Sequence, residues 1–166
     1  ADGIRAIAVP GAIPREAIEQ IIKDKKLPQS LPETPLGEYT FANEADHKTS
    51  TLAGKTVRIV EYSDLDCPYC KRIHPELEAV VANNENVVWI YRHFPLTNLH
   101  PNASIKAEAS ECVAKIGGDD AFWKFTDLVF EQREVEEPTN VTKLGDYAVK
   151  AGVNIDEFNA CTSSGR

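Results

Sequence analysis

Apolar residues recur along this chain with two periods, and the periods change at clear punctuation. Thr56-Val57-Arg58-Ile59-Val60-Glu61-Tyr62 is rich in β-branched residues and lies between Gly54 and Ser63-Asp64, which predicts a strand. Val57, Ile59 and Glu61 share one face of it, and Val60 and Tyr62 the other. Both faces are largely apolar, as in a parallel strand covered on two sides, so Glu61 is expected to be at least partly buried. From about residue 67 to 81, Cys70, Ile73, Leu77, Val80 and Val81 line one helical face. Asn83-Asn84-Glu85-Asn86 interrupts that pattern, and Val87-Val88-Trp89-Ile90-Tyr91 predicts a second strand. Strand, helix and strand in this order make a βαβ unit with parallel strands.

Downstream the pattern is helical. Residues 103–116 carry Ile105, Ala109, Cys112, Val113 and Ile116 on one face and stop at Gly117-Gly118. Helices are also expected over 121–132, 141–151 and 155–162, with Phe122, Phe125, Leu144, Ala148, Phe158 and Cys161 facing inward. Upstream, residues 15–25 predict a short helix with Ile18, Ile21 and Ile22 on one side. Pro14 suits its first turn and Pro28 marks its end. Residues 31–50 show no period and read as a linker. The expected organisation is therefore an N-terminal extension (1–50) with a short helix and a proline-containing linker. A second part (51–166) opens with a βαβ core start at about 55–95 and continues as helices at about 100–165.

Composition narrows the class. The 166 residues are 42% hydrophobic, which supports one domain with a sizeable core, or one domain plus a tail. The net charge of −8 argues against nucleic acid as the main partner, because phosphate binding needs a basic footprint. No apolar run approaches the ~20 residues that span a bilayer. There is no methionine, and the opening Ala1-Asp2-Gly3 has neither a basic nor an apolar leader region. That opening fits a mature secreted chain or a trimmed one.

The four cysteines are Cys67, Cys70, Cys112 and Cys161. The close pair in Cys67-Pro68-Tyr69-Cys70 falls where the first strand hands over to a helix. A thiolate is the reactive form of cysteine, and only a few per cent of a free thiol with pKa about 8.5 is ionised at neutral pH. A helix N-terminus presents unpaired N–H groups and about half a positive charge, which stabilises an anion at Cys67. Cys70, one turn inside, is expected to be shielded and to act second. Lys71, Arg72 and His74 add positive charge nearby, while Asp64 and Asp66, read as solvated carboxylates, oppose ionisation more weakly. Two cysteines at this spacing can close a reversible disulfide.

Val60-Glu61-Tyr62-Ser63-Asp64-Leu65-Asp66-Cys67-Pro68-Tyr69-Cys70-Lys71-Arg72-Ile73-His74-Pro75 resembles the active-site segment of the thioredoxin superfamily. Glu61 stands six residues before Cys67, where the superfamily carries a buried carboxylate that relays a proton to the second cysteine. Pro75 stands eight after it, where members kink this helix. Pro75 also removes one helix hydrogen bond and crowds the carbonyl of Lys71. Cys-Pro-Tyr-Cys is shared with glutaredoxins. Tyr91-Arg92-His93-Phe94-Pro95-Leu96, His100-Pro101-Asn102-Ala103, Glu108-Ala109-Ser110-Glu111-Cys112 and Phe122-Trp123 resemble instead the DsbA-like branch, which inserts a helical subdomain. The resemblance covers about residues 50–165.

It implies an α/β thioredoxin-like fold with an inserted helical subdomain and a thiol–disulfide oxidoreductase, in the oxidase direction. The mixed disulfide would run through Cys67, with Glu61 moving the proton of Cys70 and Pro68 and Tyr69 tuning the redox potential. Implied partners are protein substrates with thiols or disulfides and a redox partner that resets the site. No organic cofactor is required, and the implied location is periplasmic or otherwise extracytoplasmic. The superfamily completes its site with a cis-proline loop, and Pro95, Pro101 and Pro138 do not stand in such a context. The C-terminal strands and helix are therefore expected to be missing, supplied by a lost segment or by exchange between protomers. The alternative is a catalytically weak interaction or scaffold domain, or a fragment.

Other readings compete at single residues. Cys67, Cys70 and His74 offer three metal ligands, but structural zinc needs four, and no metal site is expected. Haem attachment is excluded because Lys71 follows Cys70. Cys112 and Cys161 are either inert core thiols or, as expected in an oxidising compartment, a structural disulfide closing a loop of about 50 residues, worth ~3–4 kcal/mol. His93 and His100 read as surface or capping residues. Asn102-Ala103-Ser104 and Asn140-Val141-Thr142 match glycosylation sequons, a short motif of high chance frequency.

Overall fold

Three strands, β1 (His47–Lys48), β2 (Val57–Ser63) and β3 (Val87–His93), form a sheet in the order β1-β3-β2 in the computed structural model. The structure describes residues 11–26, 45–132 and 140–164, together with 7, 9 and 29. Residues 31–44 of the expected linker, Pro138, Gly165 and Arg166 lie outside the described residues.

β2 and β3 pair in parallel, with Ile59 opposite Trp89 and Glu61 opposite Tyr91. The βαβ expectation holds, and α2 (Pro68–Asn83) makes the crossover. β3 is the middle strand, and its Val87, Val88, Trp89, Ile90 and Tyr91 are at most 1% exposed. Such a strand is apolar on both faces because both are covered. Val88 and Ile90 pack with Leu52 and Val60 on one side. Trp89 and Tyr91 face the helices on the other.

β1 corrects the reading of residues 31–50 as linker throughout. His47 pairs with Tyr91 and Lys48 with Ile90, antiparallel, and the Thr49 backbone N–H continues to the Trp89 carbonyl at 3.0 Å. Two strand residues are too few to display a period, so pattern could not have found them.

The helices follow expectation in place. α1 (Arg15–Asp24) docks Ile18 and Ile22 on Leu77 and Val80 of α2 and on Trp89. α3 (Ala103–Glu131) holds two helical segments that meet at a kink, as expected: Gly118, with φ of 73°, is not helical and suits glycine. A Cβ on the preceding Gly117 would come 2.5 Å from the Ala121 Cβ, so the kink leaves no room for a side chain there. A 3₁₀ turn (Val141–Lys143), α4 (Leu144–Lys150) and α5 (Ile155–Ser163) complete the packing around Phe122, Phe125, Val129, Tyr147 and Phe158. The Asn140 Oδ1 accepts the Thr142 N–H at 2.9 Å, so this sequon asparagine serves as a helix cap. Cys112 of α3 and Cys161 of α5 are joined as a disulfide across 49 positions.

One contact fastens the β2–α2 turn to the helical layer. Asp66, 1% exposed, forms an ion pair with Lys106 of α3, whose side chain is 0% exposed. Removing one partner of such a buried pair leaves a charge in low dielectric. Lys106→Met is expected to destabilise the fold by about 3–5 kcal/mol in urea unfolding. Adding Asp66→Asn to that variant should recover part of the loss; no recovery would mean the pair is not what fails.

Candidate functional site

β2 ends in Ser63, and the chain turns through Asp64, Leu65 and Asp66 into α2. The Asp64 Oδ1 accepts the Asp66 N–H at 2.8 Å, and the Asp64 carbonyl accepts the Cys67 N–H at 3.0 Å. A short aspartate side chain closing on the backbone two residues ahead is a turn-forming bond. The other oxygen, Oδ2, accepts the Leu96 N–H at 2.9 Å and faces His100 Nδ1 at 2.8 Å.

The reading of Asp64 and Asp66 as solvated carboxylates is therefore wrong: both are buried. Asp64 is held by backbone N–H groups and His100, and Asp66 by Lys106. Their charge is matched locally, so it does not lie open beside Cys67. His100 is likewise not a surface residue but a half-buried partner of Asp64.

Cys67 is the N-cap of α2, with extended φ and ψ of −85° and 127°, and Pro68 follows in the first turn. The Cys67 carbonyl accepts the Lys71 N–H at 3.0 Å. The expected contrast in exposure is not found. Cys67 is 8% exposed, while Cys70 is only half-buried as a residue. The tight turn from Asp64 tucks Cys67 against buried Leu65 and Asp66. What distinguishes Cys70 is its environment: its side chain packs against the main core. Burial pushes the Cys70 thiol up to about 12, assisted by Cys67; the Ser63 hydroxyl and the Asp64 backbone act the other way, more weakly. Both thiols are free.

Glu61 lies behind the pair. Its Oε2 accepts the Trp89 Nε1–H at 3.0 Å, and its Oε1 is buried with no partner among the described residues. Burial raises its pKa, with Ser63, nearby His74 and the Trp89 N–H opposing. Glu61 makes no direct hydrogen bond to Cys70, but Ser63 stands beside both. Tyr91 joins the same pocket. Its hydroxyl is buried without a partner among the described residues, and its pKa is raised by burial and by the nearby Glu61 and Cys70.

Ser63 and Tyr91 were missed in the sequence, although strand geometry pointed to them. Ser63 follows Glu61 by two positions, so it shares its face, and Tyr91 is its partner across the parallel ladder. Tyr69, by contrast, is 61% exposed beside the cysteines, with the Arg72 guanidinium 5.3 Å from its ring centroid. His74 does not stand with the cysteines as a ligand. It is buried in the core, its Nε2 2.7 Å from Asp127 Oδ1, with its ring against Trp89 and Phe130.

A polar turn anchored at both carboxylates, a cysteine capping the following helix and a buried acid behind its partner can be compared with known proteins. A family model described as Thioredoxin matches residues 49–166. Among solved structures, BdbD from Bacillus subtilis, oxidised, is similar with a TM-score of 0.59 and 21% identity, covering 72% of this chain and 66% of that one. Pseudomonas aeruginosa DsbA2 is similar with a TM-score of 0.52 and 25% identity, covering 75% of this chain and 77% of that one. Among curated proteins, the Na(+)/H(+) antiporter NhaA 3 of Salinispora tropica is 34% identical over 102 residues, which are 61% of this chain. The chain spans only 15% of that antiporter's length. The family match takes in β2, the Cys67–Cys70 turn and the helices behind it, and the solved structures share the overall fold, so this chain belongs to the thioredoxin family and has a DsbA-like form of its fold.

Proposed function

We propose that the chain is a thiol–disulfide oxidoreductase that works through Cys67 and Cys70, as an oxidase of protein thiols. The observation that carries this is the asymmetry of the pair. Cys67 caps a helix N-terminus, whereas Cys70 is a thiol pushed up to about 12 beside a buried acid.

In the oxidising half-cycle a substrate thiolate attacks the Cys67 sulfur of the Cys67–Cys70 disulfide. The S–S bond breaks and Cys70 leaves with its electron pair. A leaving group whose thiol holds its proton so strongly departs slowly as an anion, so it needs a proton as the bond breaks. Glu61, raised by burial, holds a proton closer to neutrality and passes it by way of Ser63. A second substrate thiolate then attacks the substrate sulfur of the mixed disulfide and releases Cys67. Two substrate thiols are oxidised to a disulfide, and the pair is reduced to the dithiol. The N–H groups of the first turn of α2 stabilise the reduced form, which makes the disulfide a stronger oxidant.

Pro68 keeps the first turn free of an unused donor, and exposed Tyr69 meets the client beside Cys67. Protein clients and a redox partner that reoxidises the dithiol complete the cycle. The Cys112–Cys161 disulfide supports a place outside the cytoplasm, where such bonds persist. We assign residues 55–95 to the redox half and the helices beyond 100 to the cover over it.

A Cys70→Ser variant should accumulate mixed disulfides with client proteins through Cys67, visible as thiol-sensitive bands on non-reducing gels. Cys67→Ser should accumulate none. Absence of adducts in Cys70→Ser overturns the enzyme reading in favour of a scaffold.

Glu61→Gln keeps an oxygen for the Trp89 N–H but cannot relay a proton. Stopped-flow oxidation of a dithiol peptide near pH 7 should slow by about 10²-fold, and the pH dependence contributed by Glu61 should vanish. Stability should move the opposite way. Because the folded-state pKa of Glu61 is raised, the native state binds more protons than the unfolded one from about pH 4.5 up to the folded value. Wild-type stability therefore falls as pH rises through that window. Glu61→Gln should melt higher than wild type at pH 8 and equally at pH 4. Unchanged kinetics would remove Glu61 from the proton path.

A further inference from the structure

On the far side of β3 from β2, three segments bring two imidazoles and a carboxylate together. His47 lies on β1 and His93 at the end of β3. Because His47 pairs with Tyr91, His93 is its diagonal neighbour on the same face. Glu111 reaches this face from α3. Its Oε1 is 2.9 Å from His47 Nε2 and 3.2 Å from His93 Nε2. One ligand atom from each of the three lies within 4.8 Å of the other two.

We propose that His47, His93 and Glu111 bind a divalent transition-metal ion of the zinc class, independently of the cysteines. Zinc takes nitrogen at about 2.0–2.1 Å and oxygen at about 2.0–2.2 Å, so the edge of its tetrahedron is about 3.3 Å. The two observed nitrogen–oxygen separations are close to that edge. An ion seated against Glu111 Oε1 would draw in two imidazole nitrogens that lie within 4.8 Å of each other. It displaces a proton from each Nε2 to solvent.

The surroundings are those of a built site. The second nitrogen of His47, Nδ1, faces Asp119 Oδ1 at 3.3 Å, so a carboxylate orients the imidazole from behind. The His47 ring stacks on Phe122 with centroids 3.8 Å apart, which fixes its plane. The Ser110 Oγ gives its proton to the Ala107 carbonyl and lies 3.0 Å from His93 Nε2, the contact that the ion would replace. Both imidazoles are 16% exposed at the side chain and Glu111 is 50% exposed, so the ion has an entry path and a fourth position open to water. Without metal, His47 stands between two carboxylates; its pKa is raised because they outweigh burial, and Glu111 is held down to about 2 by the two histidines. An ion gathers the same charges with bonds instead of shared protons.

The test uses the full chain with Cys67→Ser and Cys70→Ser, so that no thiol binds metal and the outcome is separate from the redox reading. Calorimetric titration with Zn²⁺ should give one site per chain, and imidazole NMR should show the His47 and His93 ring nitrogens shifting while His74 and His100 stay. His93→Ala should abolish the site, and Asp119→Asn should weaken it about 10–100-fold. The NMR titration needs none of these site substitutions, so misfolding of a variant does not blunt the test. No saturable binding overturns the proposal. So does zinc that shifts His74, beside Glu78 and Asp127, and leaves His47 and His93 unmoved.

Discussion

The burial of two carboxylates in the turn before Cys67 is the constraint from which the site follows. Asp64 and Asp66 are 2% and 1% exposed, and a charge there is tolerable only if it is matched by hydrogen bonds and a counter-charge. The matching groups come from elsewhere in the chain. Leu96 and His100 follow β3 and hold Asp64, while Lys106 from α3 holds Asp66. The turn is therefore fixed from two directions, which places Cys67 at the N-cap of α2. Apolar residues of similar size could have filled the space. They would not have set the direction of the chain, because hydrophobic contact is non-directional while these bonds are not.

Behind that turn the sheet creates a low-dielectric pocket in which Cys70, Glu61 and Tyr91 all hold protons more strongly than in water. Each is raised mainly by burial, and Tyr91 is raised further by the nearby Glu61 and Cys70. Ser63 shares the Glu61 face because β2 alternates, and it closes the strand just before the turn to Cys67. Among the described residues, Glu61 Oε1, Ser63 Oγ and the Tyr91 hydroxyl are buried in this pocket without a hydrogen-bond partner, a condition uncommon in native interiors that is met elsewhere at Ser50, His74 and Trp123.

β2, α2 and β3 were legible because each is long enough to show its period and each is ended by polar residues. Glu61 was legible for the same reason: it interrupts an apolar face at a position that the strand buries. β1 was not, since His47 and Lys48 are recruited by the edge of β3 and not by any pattern of their own. The roles of Asp64, Asp66 and His100 were misread because a charged residue looks solvent-exposed until its partner is known. The partner of Asp66 stands 40 positions later, in a helix where a lysine would ordinarily point outward. The grouping of His47 with His93 and Glu111 depends on that same unforeseen strand. Sequence pattern thus reports elements that bury themselves, and it misses contacts that exist only after two of them meet.

If Cys67 and Cys70 exchange disulfides as proposed, the Cys112–Cys161 bond has to stay out of that exchange. Thiolate attack runs in line with the S–S bond, so access to one of its ends is required. Cys112 is 1% exposed and belongs to the main core with Phe122, Phe125 and Val129, which closes that end, while Cys161 at the other end is half-buried against the same core. The neighbour of Cys112 in sequence, Glu111, points the other way, toward His47 and His93. Successive residues of one helix thus face opposite tasks, one sealed into the core and one open to solvent. The kink at Gly118 then lets the second half of α3 pack in one core with Tyr91 and Cys112. The glycine pair, which in the sequence looked only like the end of a helix, is what brings the aromatic residues of that half over the sheet.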